Sequence, residues 1–375
     1  MYLIERLISL FIYVSVLIII CFLISRLGRK YLGKILSIYV FLLATMAFFF
    51  IPPSGADLYR LIPIMHIFAN LSFSELWQSM LHSTNPVYLL YMNLIGRTKI
   101  DGLLPAITAL LFYKNVFYIL KKSVIRSKVT AHDSALVLFF FMSIGALIEV
   151  ISGIRTMLGF SFIAVFIYKE MVEGKSIYKN VLWYIVVSLL HPAVFALTVI
   201  RFTYLLFEKS STKYKQFSKL LIMICSAGIL FFFGKEYFMA SFEKGKHYIM
   251  SDSYSYFWEY VIGGICLLLI LNIEFITSKL IKIEGDTGSI QNLLGFCKFL
   301  SVILIIISIE YNTFHRFVIF LTIMAIPLLA NILKSSNYKK VVKINFKQLV
   351  FIISFILLLL ATSRGNLTSL KFFIL

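Results

Sequence analysis

Long apolar runs recur along almost the whole chain, and they constrain its fold more than any other feature. Runs of roughly 15 to 20 residues, such as 7–25 and 349–363, are separated by short segments that carry Lys and Arg. A helix of that length crosses, or nearly crosses, the roughly 30 Å of hydrocarbon in a bilayer. Backbone groups inside the bilayer must pair internally, so helices are expected there. The pattern predicts an all-α fold, a polytopic bundle of transmembrane helices.

The composition supports the same fold class. The 375 residues are 60% hydrophobic and 14% charged, which is more apolar surface than a soluble fold of this length can bury. A net charge of +19 could indicate nucleic-acid binding, but the cations lie in short loops between apolar runs and not on one amphipathic face. Membrane topology explains these cations better, and no nucleic-acid partner is expected.

Several common kinds of site are not supported by the sequence. The four cysteines lie inside apolar runs without CxxC spacing, so neither a disulfide framework nor a metal site is expected. No Walker, GxGxxG, HExxH or GxSxG motif occurs in a suitable context. Nucleotide-driven pumping and the common hydrolase chemistries therefore have no motif to support them, and no cofactor is expected.

The predicted spans divide one membrane domain, 1–375, into passes and loops. The first run is followed by four cations and preceded only by Arg6, which favours an uncleaved helix with its N-terminus outside. Two outer segments are long, 52–101 and 235–257. The predicted spans are 7–25, 35–51, 102–120, 134–151, 155–168, 181–207, 220–234, 258–276, 293–309, 314–333 and 349–363.

Residues 181–207 decide the topology, because they form either one long tilted helix or a hairpin that turns at His191-Pro192. With a hairpin, 22 Lys and Arg residues lie in cytoplasmic loops and 11 lie outside, whereas a single span gives 17 and 16. Cytoplasmic loops of membrane proteins carry the excess of cations, so the hairpin is favoured. It raises the 11 listed spans to twelve passes with both termini outside, so about 11–12 spans are predicted. Its two short arms need shelter from neighbouring helices.

Polar residues at the outer ends of spans are the candidate functional residues. Arg155 opens one span, His191 and Pro192 open the second arm of the hairpin, and His315 and Arg316 open a third span. A helix N-terminus offers unpaired N–H groups and a partial positive charge. Three such termini that met would bind an anion, and a diphosphate is the obvious candidate. The alternative is that each cation extends separately to the membrane interface.

Acidic and aromatic residues complete the outer set. Asp57, in the loop PPSGADLYR, is the best candidate for a general base, with Arg60 as its nearest cation. Glu149 and Glu310 could serve the same purpose or form ion pairs with a nearby Arg. The aromatic segment 247–260 could stack on a glycan or form an interfacial belt, and its candidate side chains are Tyr254, Tyr256 and Trp258.

Several stretches, in order, resemble the bacterial EpsG-type proteins, which are close to the Wzy-type O-antigen and exopolysaccharide polymerases. They are SGADLYRLIPI, NPVYLLYMNLIGRTKIDGLLPAITALLFYKNVFYILKK, GIRTMLGFSFIAVFIYKE, YIVVSLLHPAVFALTVI and TFHRFVIFLTIM, and they cover roughly residues 50–330. The resemblance rests on their order and spacing. One departure is Pro192, which follows the His where the family often has a small polar residue.

The resemblance implies a GT-C-like polymerase in the bacterial inner membrane with its active face outward. A glycan would pass from undecaprenyl diphosphate to the hydroxyl of the next lipid-linked repeat unit. Arg155 and Arg316 would stabilise the diphosphate, His191 and His315 would assist, and Asp57 would accept the proton. The implied substrate-binding residues are Arg60, Glu149, Glu310, His315, Tyr254, Tyr256 and Trp258. The implied partners are the undecaprenyl-diphosphate-linked oligosaccharide, membrane lipid, a chain-length regulator and a flippase.

Two other functions are compatible with an outer polar cluster. A transporter or flippase of lipid-linked oligosaccharide also needs outer cations and broken helices, and it predicts polar residues along a path through the membrane. A membrane O-acyltransferase needs a donor pathway from the cytoplasmic side. The sequence concentrates its polar residues at the outer ends of the spans, which favours the polymerase.

Overall fold

Helices form all the regular structure in the described part of the chain. The computed structural model describes residues 2–52, 57–207, 257–284, 288–308, 311–334 and 340–363. A single 3-10 turn lies at Ile177–Lys179. The helices are α1 Tyr2–Leu27, α2 Leu32–Phe48, α3 Asp57–Ala69, α4 Phe73–Leu81, α5 Pro86–Gly96, α6 Leu103–Arg126, α7 Ala131–Ile144, α8 Leu147–Ser152, α9 Ile154–Met171, α10 Val181–Ser188, α11 Pro192–Phe207, α12 Phe257–Glu284, α13 Gly288–Ile307, α14 Tyr311–Lys334 and α15 Lys340–Ser363.

Five of the described helices are long and apolar enough to cross a membrane, namely α6 and α12 to α15. Shorter apolar helices include α2, α7 and α11. The expectation of a helical membrane protein with several passes is confirmed at this level. The count of 11–12 spans stays a prediction, and the predicted span 220–234 lies outside the described residues.

The hairpin predicted within 181–207 is confirmed by contacts between its arms. The rings of Tyr184 and Phe202 lie 5.4 Å apart, and the Ser188 hydroxyl donates to Thr198 Oγ1 at 2.7 Å. The later residue of the first arm, Ser188, therefore meets the earlier residue of the second arm, Thr198. This order of contacts shows that the two helices are antiparallel. The turn occupies 189–191, and Pro192 is the first residue of α11, where its missing N–H costs nothing.

The predicted span 134–151 is wrong as a single helix, because the chain breaks at Gly145 between α7 and α8. Two tyrosines from other helices satisfy the backbone groups that the break frees. The Tyr113 hydroxyl donates to the carbonyl of Gly145 at 3.0 Å, and the N–H of Leu147 donates to Tyr13 Oη at 3.4 Å. Those hydrogen bonds offset the cost of unpaired backbone groups inside the bundle.

Three helices run parallel and begin at the same end of the bundle. Phe160 of α9 contacts Phe320 of α14, with ring centroids 5.4 Å apart. Gly159 of α9 packs directly on Val194 of α11, where a Cβ would come within 2.4 Å of Val194 Cγ2. Glycine is required at that close approach. The end at which α6, α9, α11 and α14 begin is called the site end below.

The opposite end of the bundle is called the basic end, where α6 and α9 finish and α13 begins. The Tyr118 hydroxyl of α6 donates to Glu173 Oε1 at 2.9 Å, just after α9. Arg126 of α6 donates to the hydroxyl of Ser289 in α13 at 2.8 Å. These contacts fix the ends of α6, α9 and α13 relative to one another.

Within the predicted outer segment 52–101, the described residues from 57 onward form three short helices, α3 to α5. They have 13, 9 and 11 residues, so at about 1.5 Å of rise per residue none crosses a bilayer alone. A capping box begins α4, in which the N–H of Ser72 donates to Glu75 Oε2 at 2.8 Å and the N–H of Glu75 donates to Ser72 Oγ at 3.3 Å. Hydrogen bonds from the Ser72 side chain and backbone hold the pKa of Glu75 below its usual range.

Helix α14 lies at the centre of the bundle. It packs against α6, α7, α9, α12 and α13, and almost all of its described side chains are buried. Its polar residues near the site end therefore face protein neighbours and not lipid.

Candidate functional site

Polar side chains from α3, α8, α9, α11 and α14 meet at the site end. Thr156, the third residue of α9, lies at the centre of this group and is buried. Its Oγ1 is 3.2 Å from Nδ1 of His191, and Nη1 of Arg316 donates to the same oxygen at 3.5 Å. One hydroxyl thus connects the starts of three helices.

His191 caps α11 with its own side chain. The backbone N–H of Ala193 donates to His191 Nδ1 at 3.2 Å, so Nδ1 is the unprotonated nitrogen and the Thr156 hydroxyl can only donate to it. In the neutral imidazole the proton is then on Nε2. His191 therefore presents an N–H donor from the opposite side of its ring.

Asp57 is the first residue of α3 and lies between two guanidinium groups. Its Oδ2 is 3.9 Å from Nη2 of Arg316, and its Oδ1 contacts Arg60 one turn along the same helix. The Asp57 and Arg316 side chains are 38% and 28% exposed, so the pair is accessible to a ligand. The sequence assigned Arg60 to Asp57, and the structure adds Arg316.

Glu149 pairs with His315, at 3.1 Å between Oε2 and Nε2. The sequence left Glu149 open between a general base and an ion pair with a nearby Arg, and the structure adds His315 as a partner. A new helix, α8, begins after the break at Gly145, and Glu149 is the third residue of α8. His315 is almost fully buried, and the carboxylate of Glu149 lies within ion-pair distance of its Nε2 without forming a hydrogen bond of regular geometry.

Arg155 stacks on α5, with its guanidinium carbon 5.5 Å from the centroid of the Tyr88 ring. Tyr88 is 2% exposed, and its hydroxyl has no hydrogen-bond partner among the described residues. Burial raises the pKa of the Tyr88 phenol. The hydroxyl therefore stays protonated and is a buried donor beside Arg155.

The prediction that each cation opens a helix needs one correction. Arg155 is the second residue of α9, but α14 begins at Tyr311, so His315 and Arg316 are its fifth and sixth residues. The four unpaired N–H groups of α14 precede them. An anion bound by Arg316 is therefore held by its guanidinium and not by the first amides of its helix.

Some candidate residues cannot be placed. Glu310, Tyr254 and Tyr256 lie outside the described residues. Trp258 belongs to α12, but its side chain lies outside the described part as well. The glycan-stacking role of the aromatic segment stays a prediction.

Two important residues were missed by the sequence reasoning. Thr156 directly follows Arg155 in the first turn of α9, and this adjacency is the one signal that could have indicated it. Tyr88 lies in the stretch that resembles the polymerase family, but nothing in the local sequence shows that it will lie under Arg155.

Further polar side chains are buried away from the site end. Arg201 of α11 pairs with Glu170 of α9 at 3.2 Å, and Glu170 also accepts from Asn180 and Tyr184. Glu274 of α12 is 2% exposed and accepts from the Ser301 hydroxyl at 2.8 Å. In the described ranges no group of three or more His, Cys, Asp and Glu side chains could hold a metal ion.

The cluster at the site end can bind an anion and accept a proton. It offers a guanidinium and an imidazole N–H around Thr156, with the Asp57 carboxylate beside them. Arg155 and the Tyr88 hydroxyl add a second cation and a neutral donor from α9 and α5. Charge-assisted hydrogen bonds of this kind are the strong ones in anion binding.

The chain was compared with known proteins in three ways. The resemblance to EpsG-type proteins rests on the sequence stretches alone and stays a prediction. Comparison with protein-family models, with curated protein sequences and with solved structures found no match.

Proposed function

We propose that the protein is a bacterial surface-polysaccharide polymerase with a GT-C-like architecture. It would transfer a glycan from undecaprenyl diphosphate to the next lipid-linked repeat unit of an O-antigen or exopolysaccharide. The single observation that supports this most is the cluster in which Thr156 connects His191 and Arg316 while Arg316 lies beside Asp57. An anion-binding group and a proton acceptor share one half-buried site.

In the proposed reaction the acceptor hydroxyl oxygen attacks the anomeric carbon of the donor glycan. The bond from that carbon to the diphosphate oxygen breaks, and its electron pair leaves with undecaprenyl diphosphate. Asp57 takes the proton of the attacking hydroxyl. Arg155, Arg316 and the Nε2–H of His191 stabilise the negative charge that develops on the diphosphate.

The surroundings of the cluster fit a substrate that arrives in the membrane plane. Helices α9, α11 and α14 begin side by side at the site end, and in this proposal the polyprenyl chain reaches the cluster between helices, from the membrane plane. In this proposal the Tyr88 hydroxyl, which is buried beside Arg155, becomes accessible when the substrate binds and donates to it. The excess of cations in the loops at the other end supports an inner-membrane location with the site end outward.

The test uses a host strain that lacks the protein and is complemented with variants. Arg316→Ala, Arg316→Lys and Asp57→Asn should lower polymerisation by about a hundredfold, the size of effect expected when one preorganised charge contact is lost. Lysine is a poor substitute because a point charge does not replace a two-pronged donor. The readouts are the glycan ladder on a gel and the release of undecaprenyl diphosphate by the purified protein.

The matched control is Arg97→Ala. Arg97 is exposed in the same outer segment and donates to the carbonyl of Leu71 at 3.3 Å, away from the cluster. Its loss should leave the ladder intact. A normal ladder with Arg316→Lys at wild-type abundance would contradict the proposed diphosphate contact.

Transport of lipid-linked oligosaccharide is a second candidate, and the buried Glu274 is the observation that favours it. A carboxyl group within a long apolar helix is costly and is a common feature of transport pathways. The two functions differ in what a deletion strain accumulates. Deletion of a polymerase leaves single repeat units on the surface, whereas deletion of a transporter leaves lipid-linked units on the cytoplasmic leaflet.

A further inference from the structure

A groove of about 530 Å³ opens at the basic end of the bundle, between the turn that joins α1 to α2 and helices α2 and α6. Four cationic side chains line it, and none of its lining residues is acidic. They are Arg29, Lys30, Lys34 and Lys121. This groove lies at the end of α6 opposite to the cluster around Thr156, so it is not part of the candidate site.

Three of the cations lie within the six residues 29–34, and the fourth, Lys121, comes from α6. Lys121 of α6 is packed over Gly33 in the first turn of α2, where a Cβ would come within 2.7 Å of its Nζ. The absence of a side chain at Gly33 lets the Lys121 ammonium lie close to the backbone at the start of α2. That helix start carries a partial positive charge of its own. The groove therefore gathers like charges with no counterion among its lining residues.

Membrane topology alone does not explain this arrangement. The preference for cations on one side of the membrane places Lys and Arg at that side, but it does not bring four of them to one groove. Like charges held together repel one another, and a bound anion removes that cost. The arrangement is the one expected of an anion site.

Exposed apolar side chains flank the cations. Ile38 and Ile125 belong to the groove lining and are 58% and 48% exposed, and Leu27 at the end of α1 is 49% exposed. A ligand that combines a negative headgroup with acyl chains fits both halves of this surface. Basic pockets between membrane helices are known sites of anionic lipid headgroups.

We propose that this groove binds the phosphate group of an anionic membrane phospholipid. The four cations hold the phosphate, and the acyl chains leave the groove along Ile38, one turn beyond Lys34 in α2. The site is separate from the proposed polymerase chemistry, so either proposal can fail without the other.

The test is native mass spectrometry of the full chain in detergent with added phosphatidylglycerol or phosphatidylcholine. The wild-type protein should retain phosphatidylglycerol in clear preference to phosphatidylcholine, and excess inorganic phosphate should not displace it. The double variant Lys34→Gln with Lys121→Gln should bind phosphatidylglycerol about 25-fold more weakly, at about fivefold for each cation near the membrane surface. The matched control is Lys175→Gln with Lys179→Gln, which removes two exposed cations from the loop after α9 at the same end.

Gly33→Ala supplies a second variant that keeps every charge. Alanine favours the helix, so the fold is retained, while its Cβ displaces the Lys121 ammonium. Retention of phosphatidylglycerol should fall severalfold. Equal retention of the two lipids, an equal loss in the Lys175 and Lys179 control, or wild-type binding by Gly33→Ala would each overturn the proposal. Displacement of phosphatidylglycerol by inorganic phosphate would show that the groove binds free phosphate and not a lipid headgroup.

Discussion

Thr156 Oγ1 lies 3.2 Å from His191 Nδ1, and this contact links the first turns of two parallel helices. The two residues are separated by 35 positions, and the same separation recurs in the contact of Gly159 with Val194 one turn further on. The hydroxyl is therefore held by the packing of α9 on α11 and not by local chain geometry. It also receives the hydrogen bond from Arg316, so the geometry of the cluster depends on it.

Replacing Thr156 with Val should lower polymerisation by about tenfold or more. Valine keeps the shape but removes the hydroxyl, and a buried polar partner left unpaired costs about 1–3 kcal/mol. Thr156→Ser should retain most of the activity. The glycan ladder and the abundance of the protein in the membrane are the measurements.

Thr322→Val is the control for that substitution. Thr322 is equally buried in α14, but its hydroxyl donates to the carbonyl of Val318 within the same helix. It should leave the ladder unchanged. Normal chain lengths with Thr156→Val would show that the bridge between His191 and Arg316 has no role.

Replacing Tyr88 with Phe should separate stability from activity. The ring that Arg155 stacks on is kept, and the hydroxyl that is lost has no hydrogen-bond partner among the described residues. The thermal midpoint in detergent should stay the same or rise, because an unpaired buried hydroxyl is removed. Polymerisation should fall about tenfold if the hydroxyl donates to substrate.

Tyr39→Phe is the matched control, since the Tyr39 hydroxyl is also buried without a partner in the described structure. Tyr39 lies in the middle of α2 and stacks on Phe117, away from the site end. Its substitution should leave the activity unchanged and should change the stability only slightly. Equal activity of Tyr88→Phe and the wild-type protein would remove Tyr88 from the site.

The hairpin could be predicted from the sequence because the evidence for it is the number of Lys and Arg residues added up over many loops. Moving the turn at His191 changes the side of every later Lys and Arg, so the charge count discriminates strongly between the two topologies. Helix periodicity and length likewise suffice to predict the all-helical membrane fold. These features depend on composition along the chain and not on which helices touch.

The contact partners of the site residues could not be predicted, because they depend on which helices touch. Glu149 pairs with His315, and Arg155 stacks on Tyr88. The residues of each pair are far apart in the sequence, and no local pattern indicates that they will be in contact. The break at Gly145 is also invisible in the sequence, because the hydroxyls that stabilise it belong to Tyr13 and Tyr113. The charge count assigns each residue to a side of the membrane but not to a neighbour.

Replacing Glu170 with Gln should destabilise the fold by about 3–5 kcal/mol, because the Arg201 guanidinium is left buried without its counterion. Part of this loss should be recovered when Arg201→Leu is added, since the unpaired charge is then removed. Thermal unfolding in detergent, followed by tryptophan fluorescence, measures both effects.

Glu173→Gln is the control three residues further along the chain. Glu173 is only partly buried and accepts one hydrogen bond from Tyr118, so its loss should cost about 1 kcal/mol or less. If Glu170→Gln is no less stable than Glu173→Gln, the buried pair contributes nothing to the fold.

Cysteine labelling should place the two ends of the bundle on opposite sides of the membrane. In a variant without its native cysteines, single cysteines are introduced at the exposed positions Ser74, Lys175 and Lys282. An impermeant maleimide should label Ser74→Cys in spheroplasts, and Lys175→Cys and Lys282→Cys only after the membrane is opened. The shared side of Lys175 and Lys282 follows from the hairpin, since a single span over 181–207 inverts everything after it. Labelling of these two from different sides would contradict the topology, and labelling of Ser74→Cys only in opened membranes would place the proposed glycosyl transfer on the wrong face.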